Sequence, residues 1–73
     1  MNEARLIIFR RQGYFELEIP YHSEFIAEFK RQFDSETRYW QPERKRWWVA
    51  IEELGRVKAL AQEHFEYVSE VLA

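Results

Sequence analysis

Two segments near the start of the chain show the apolar patterns of β-strands. Residues 4–10, ARLIIFR, are apolar and rich in β-branched side chains, which predicts a buried strand. After a turn at Gly13, residues 14–19, YFELEI, alternate between apolar and acidic positions from Phe15 onward. Glu16 and Glu18 share one face of this second strand, which we expect to be solvated. The two segments together predict a β-hairpin with one apolar face and one solvent-exposed face.

Further along the chain, apolar residues recur every three or four positions, which predicts two helices. Pro20 ends the second strand, because it has no N–H to donate to a ladder. Phe25, Phe29 and Phe33 then form the apolar stripe of a first helix. Residues 52–64, EELGRVKALAQEH, predict a second helix. Its apolar stripe consists of Leu54, Val57, Leu60 and Ala61.

The segment between these helices, RYWQPERKRWWVAI at 38–51, predicts a second hairpin. Two strand-like runs flank PERK, and its proline fits the first central position of a turn. Strand parity turns Trp47 towards the core and turns Trp48, together with Arg46, towards the outer face. Trp40 precedes the same turn, and we expect it in the core as well.

The final segment, FEYVSEVLA at 65–73, fits either a strand or a continuation of the second helix. Its aromatic and β-branched residues favour a short closing strand. The predicted order is therefore ββαββα with a final β, within a single domain covering residues 1–73. We predict an α+β fold in which two helices pack on one face of an antiparallel sheet.

Composition narrows the class of protein further. Hydrophobic residues make up 47% of the chain and aromatic residues 18%, so it can build a dense core and disorder is not expected. There is no cysteine, which removes disulfides and cysteine-based zinc sites. No apolar run approaches the roughly 20 residues that span a bilayer, and the start lacks a signal-peptide pattern. We therefore expect a cytoplasmic protein without a membrane partner.

Residues that carry catalytic or metal chemistry are sparse. His22 and His64 are far apart in the sequence with no cysteine near either, so the pattern predicts no metal site and no cofactor. His22 is expected at a helix start, where its ring accepts a hydrogen bond from a free backbone N–H. The sequence shows neither a Gly-rich phosphate loop nor a Ser–His–Asp pattern. We expect that the protein is not an enzyme.

Charge is distributed unevenly along the chain. The net charge is −2, yet six basic and three acidic residues lie between Lys30 and Arg46. The 38–48 segment therefore combines cations with aromatic rings, which is the general recipe for binding a single-stranded nucleic acid. A solvated, charged hairpin tip is the competing explanation, since such tips also protect a sheet edge. The predicted contact residues are Arg38, Arg44, Lys45, Arg46 and Trp48.

Two stretches of this sequence resemble the HARP domain, a module named after the HepA-related proteins and found beside SNF2-type annealing helicases. The helix-start motif is matched by IPYH at 19–22 and by Glu24. Ser23 and Ala50 depart from the family pattern, in which proline is frequent at both positions. The likeness covers approximately residues 14–54. The hairpin motif is matched by Arg38, Trp40, Pro42, Glu43, Lys45 and Trp47.

This resemblance implies a non-enzymatic module that recognises single-stranded or forked DNA as an accessory to DNA repair or replication. A helicase or another repair protein is then an expected partner, since no helicase motor accompanies the motifs in this sequence. The alternative is a protein–protein adaptor that uses exposed aromatic residues and an acidic C-terminal face. Tryptophan, tyrosine and arginine are favoured at protein hot spots, and the net acidity favours this alternative. The choice between DNA and RNA and the oligomeric state stay open.

Overall fold

The computed structural model describes residues 2–73 and has the predicted α+β fold. Two single 3₁₀ turns lie at Arg10–Gln12 and Ile51–Glu53. The final segment is a strand, so the predicted element order is confirmed. The elements are β1 (Glu3–Phe9), β2 (Tyr14–Glu18), α1 (Ser23–Gln32), β3 (Arg38–Gln41), β4 (Arg46–Ala50), α2 (Leu54–His64) and β5 (Tyr67–Leu72).

The five strands form one sheet in the order β3-β4-β2-β1-β5. Its pairs are antiparallel except the last, in which β5 runs parallel to β1. The sheet is therefore mostly antiparallel, as predicted, with one parallel pair at this edge. The reason is the connection: β4 runs in the direction of β1, and α2 carries the chain across the sheet as a βαβ crossover.

Both helices lie on the same face of the sheet, as predicted. The crossovers through α1 and α2 start from the antiparallel neighbours β2 and β4 and move towards opposite edges. Two crossovers of the same hand that leave antiparallel strands in opposite directions place their helices on the same side of the sheet. The core therefore lies between this helix layer and one face of the sheet. Its largest buried side chains include Leu6, Phe15, Leu17, Phe25, Phe29, Phe33, Val49 and Val57.

The three hairpin tryptophans divide between core and surface. Trp47 is only 6% exposed and meets Phe29 edge-on at 5.1 Å between ring centroids, which confirms its predicted core position. Trp40 lies on the same side of the sheet but is 45% exposed, so its predicted burial was wrong. Trp40 belongs to β3, the edge strand, and has Trp47 as its aromatic neighbour, at 5.5 Å between ring centroids. An edge strand is packed from one side only, which leaves this ring half open to water.

Two local predictions about chain turns are confirmed. Gly13 has a φ of +84°, a left-handed conformation that favours glycine, and its N–H donates to Phe9 O at 3.1 Å. His22 is the N-cap of α1, and its Nδ1 accepts a hydrogen bond from the Phe25 N–H at 3.1 Å. Neither helix within residues 2–73 is long and apolar enough to cross a membrane.

Candidate nucleic-acid interface

The sheet face opposite the helices carries a row of four stacked aromatic rings. The rings belong to Phe9, Tyr14, Trp48 and Tyr39, which lie on β1, β2, β4 and β3. Successive ring centroids are 4.9, 5.7 and 5.2 Å apart, and the ring planes are within 24° of parallel. The spacing places them in the range of favourable aromatic pairs. The row thus crosses four strands and runs to the β3 edge.

Because the rings stack on one another, the inner ring faces of the row are already occupied. Trp48 lies between Tyr14 and Tyr39, so both of its faces are in contact with other rings. Tyr39 stands on the edge strand, has Trp48 as its stacking neighbour, and is 55% exposed. At the β3 end of the row, the accessible stacking surface is therefore the outer face of the Tyr39 ring.

A buried carboxylate lies beside this row. Glu16 was predicted to be solvated, but it is only 2% exposed, so that prediction was wrong. Its strand is flanked on both sides, and the arginines of the second hairpin cover its carboxylate. The Arg44 Nε lies 2.8 Å from Oε2, and the Arg46 Nη1 lies 2.9 Å from Oε1. Gln41 Nε2 also donates to Oε2 at 3.2 Å.

The environment of Glu16 acts on its pKa in two opposing directions. Burial is the largest single influence and raises the pKa. Hydrogen bonds from Arg44, Arg46 and Gln41 together outweigh burial and hold the pKa below its ordinary value. The hydrogen bond with Glu16 in turn raises the pKa of Arg44. Glu16 is therefore an ionised carboxylate that ties the tip of the second hairpin to β2.

The structure does not bring Arg38 together with the other predicted contact residues. Its Nε donates to Phe33 O at 3.1 Å, beyond the last turn of α1, and its Nη2 donates to Lys30 O at 3.4 Å. Its guanidinium lies 5.9 Å from the ring centroid of Trp47, on the helix side of the sheet. Arg38 satisfies carbonyls at the C-terminal end of α1, where a cation also complements the helix dipole.

Lys45 differs from its neighbours in the turn. Within residues 2–73 its ammonium group takes part in no ion pair, whereas Arg44 and Arg46 bind Glu16. Lys45 also has a φ of +56°, and its N–H donates to Gln41 O at 2.8 Å. This left-handed conformation costs a residue with a Cβ about 1–2 kcal/mol and favours glycine or asparagine. Lys45 thus occupies a backbone position that favours glycine, and within the described residues its charge is not used in an ion pair.

Sequence reasoning missed Tyr39, although a signal for it was present. Gln41 pairs with Arg46 across the hairpin, so Tyr39 stands directly opposite Trp48. Once the length of the turn is fixed, strand parity alone places these two aromatic rings side by side on the outer face. Tyr14 and Phe9 extend the row through the pairing of β2 with its neighbours, which the hairpin by itself does not reveal.

The candidate interface therefore consists of Tyr39, the row behind it, Lys45 and the exposed parts of Arg44. Comparison of the chain with protein-family models, with curated proteins and with solved structures gives no significant match. The resemblance to the HARP domain thus stays a prediction that rests on the two sequence motifs alone.

Proposed function

We propose that this protein is a small non-enzymatic module that binds single-stranded or forked DNA at the tip of its second hairpin, as an accessory to repair or replication proteins. The observation that carries this proposal is the exposed Tyr39 ring at the β3 end of an aromatic row, on the sheet face opposite the helices. A nucleobase placed on that ring extends the row by one member. A helicase or another repair protein would be the larger partner.

The chemistry of the site favours a single strand over a duplex. Stacking of one base on an aromatic side chain contributes about 1–3 kcal/mol, and only an unstacked base offers its face. Lys45 supplies an uncommitted positive charge, and the half-exposed Arg44 retains donors that reach solvent. Glu16 offsets part of the arginine charge, so we expect modest affinity that depends on salt.

Titration with labelled single-stranded, forked and duplex DNA at two salt concentrations tests the proposal. If the complex neutralises about three phosphates, the logarithm of the binding constant falls with the logarithm of salt at a slope of about −2. We expect the single-stranded and forked forms to bind more tightly than the duplex. Lack of binding to all three forms at low salt would contradict the proposal.

Replacement of Tyr39 by alanine is expected to weaken single-strand binding by about 1–3 kcal/mol, the contribution of one stacked base. The matched control is Tyr67→Ala, which removes an exposed tyrosine from β5 at the opposite edge of the sheet. Fluorescence anisotropy measures the affinity of both variants, and thermal melting reports whether each is folded. Equal losses in the two variants would argue against a role of the Tyr39 ring.

Replacement of Lys45 by glycine should separate stability from binding. Glycine relieves the left-handed backbone conformation, so we expect the variant to gain about 1 kcal/mol of unfolding free energy. At the same time it removes the uncommitted cation and should weaken DNA binding and flatten its salt dependence. Urea unfolding and the DNA titration measure the two effects. A more stable variant with unchanged DNA affinity would remove Lys45 from the interface.

A protein–protein adaptor is the second candidate, and the geometry of β3 favours it. This edge strand has exposed aromatic side chains on both sides, Tyr39 on the outer face and Trp40 on the helix side. An extended peptide that adds a strand to such an edge contacts both rings and pairs with the free backbone groups. Trp40→Ala separates the candidates, since only the adaptor requires the tryptophan on the helix side.

A further inference from the structure

The fold brings the two histidines of this chain into contact, although they are distant in the sequence. His22 caps the start of α1, and His64 is the last residue of α2. Their ring centroids are 5.2 Å apart, with the ring planes 80° from parallel. Glu24, in the first turn of α1, joins them: one ligand atom from each of the three residues lies within 4.8 Å of the others. The prediction from sequence separation overlooked this cluster.

Phenylalanine side chains pack against both imidazoles, and the Glu24 side of the cluster is exposed to solvent. Phe65 lies 5.1 Å from the His22 ring, and Phe25 lies 5.8 Å from the His64 ring. Both histidines are half-buried, whereas Glu24 is exposed. The apolar support limits how far the rings turn, and the exposed carboxylate leaves a route for an ion from solvent.

We propose that His22, Glu24 and His64 bind a divalent transition-metal ion, with Zn²⁺ as the best match. Two imidazoles and one carboxylate form a common protein donor set for zinc, and imidazole disfavours Mg²⁺ and Ca²⁺. Ligand atoms in a tetrahedral zinc site lie about 3.4 Å apart, as zinc–nitrogen bonds of about 2.0–2.1 Å require. Side-chain movements of about 1 Å therefore close the site. Three protein ligands leave the fourth position to water.

Metal binding is expected to break the hydrogen bond that caps α1, and the loss of this bond can be measured. His22 Nδ1 accepts the Phe25 N–H, so the neutral ring carries its proton on Nε2. Coordination through Nε2 moves that proton to Nδ1, and coordination through Nδ1 uses the same lone pair. In either case the hydrogen bond from Phe25 opens. We therefore expect the backbone amide resonance of Phe25 to shift when zinc binds.

The experiment uses the untagged chain, in which His22 and His64 are the only histidines and there is no cysteine. Calorimetric titration with Zn²⁺ should show one ion per chain and a rise in melting temperature that EDTA reverses. Addition of Co²⁺ should give the visible absorption of a site with nitrogen ligands. No uptake of Zn²⁺ by the wild-type chain, or an unmoved Phe25 amide in the loaded protein, would overturn the proposal.

Matched variants identify the ligands. His22→Asn keeps an acceptor for the helix cap but removes the imidazole, and His64→Gln removes the second ring. We expect each change to weaken zinc binding by at least about tenfold. Glu28→Gln is the control, because Glu28 lies one turn after Glu24 but its carboxylate is held by Arg31. A loss of affinity in the control as large as that in His64→Gln would point to general electrostatics and refute the assignment.

Discussion

Replacement of Trp47 by alanine is expected to destabilise the domain by about 3–5 kcal/mol, the usual cost of truncating a buried aromatic residue. The ring is 6% exposed and packs edge-on against Phe29. The cationic groups of Lys30 and Arg38 each lie 5.9 Å from its centroid. A small domain has a total stability of as little as about 5 kcal/mol, so we expect the variant to be close to unfolding at room temperature.

The other two tryptophans of the hairpin provide the comparison. Trp40→Ala removes a half-exposed ring from an edge strand and should have a smaller effect than Trp47→Ala. Trp48→Ala breaks two stacked pairs, each of which contributes about 0.5–1.5 kcal/mol, so its effect should lie between the others. Urea unfolding of the three variants measures this order. A larger loss for Trp48→Ala than for Trp47→Ala would contradict the assignment of the faces of β4.

Strand alternation predicted the faces of individual strands correctly where apolar residues mark one face. Leu17 and Trp47 turn towards the helices as their parity requires, and Trp48 turns away. Glu16 shows the limit of this reasoning, because parity gives the face but not what covers it. The arginines that bury its carboxylate come from a hairpin far along the chain. Their approach depends on the pairing of β2 with β4, which no local pattern encodes.

The other features that the sequence did not predict depend on how distant segments of the chain come together in the fold. The direction of β5 follows from the crossover through α2, and the exposure of Trp40 follows from the edge position of β3. The contact between His22 and His64 arises because the start of α1 and the end of α2 meet beside Phe65. Each of these features depends on how elements are ordered in the sheet, whereas helix stripes, caps and turns depend on neighbouring residues. The sequence therefore predicts the elements better than it predicts the site.

Replacement of both Arg44 and Arg46 by alanine should cost about 1.5–3 kcal/mol at pH 7, because it removes the charge-assisted hydrogen bonds to the Glu16 carboxylate, which water replaces only in part. Substitution with glutamate should be worse, since it adds like charges beside Glu16. The arginines of the hairpin are therefore structural as well as basic. Loss of DNA binding in such variants does not by itself identify phosphate contacts. Lys45→Glu tests the charge of the hairpin tip without breaking the ion pairs of Glu16.

The dependence of stability on pH distinguishes this ion-pair explanation from a simple loss of packing. In the wild type the lowered pKa of Glu16 contributes stability above the ordinary carboxyl range, and this contribution is lost as the pH falls through the folded-state value. Without the arginines, the hydrogen bonds that lower the pKa of Glu16 are lost and water reaches its carboxylate, so its pKa moves back towards the ordinary carboxyl value. The contribution of Glu16 then largely disappears, so the double variant should lose less stability than the wild type on acidification.

Urea unfolding from about pH 7 down to about pH 3 measures this contribution, because it begins to fall at the ordinary carboxyl pKa and is lost only at the lower folded-state pKa of Glu16. Glu16→Gln, introduced into the wild type and into the double variant, subtracts the effects of all other carboxylates. We expect Glu16→Gln to destabilise the wild type at pH 7 but to have little effect in the double variant. If it destabilises both equally, the arginines act through their packing, and the buried carboxylate does not depend on their charge.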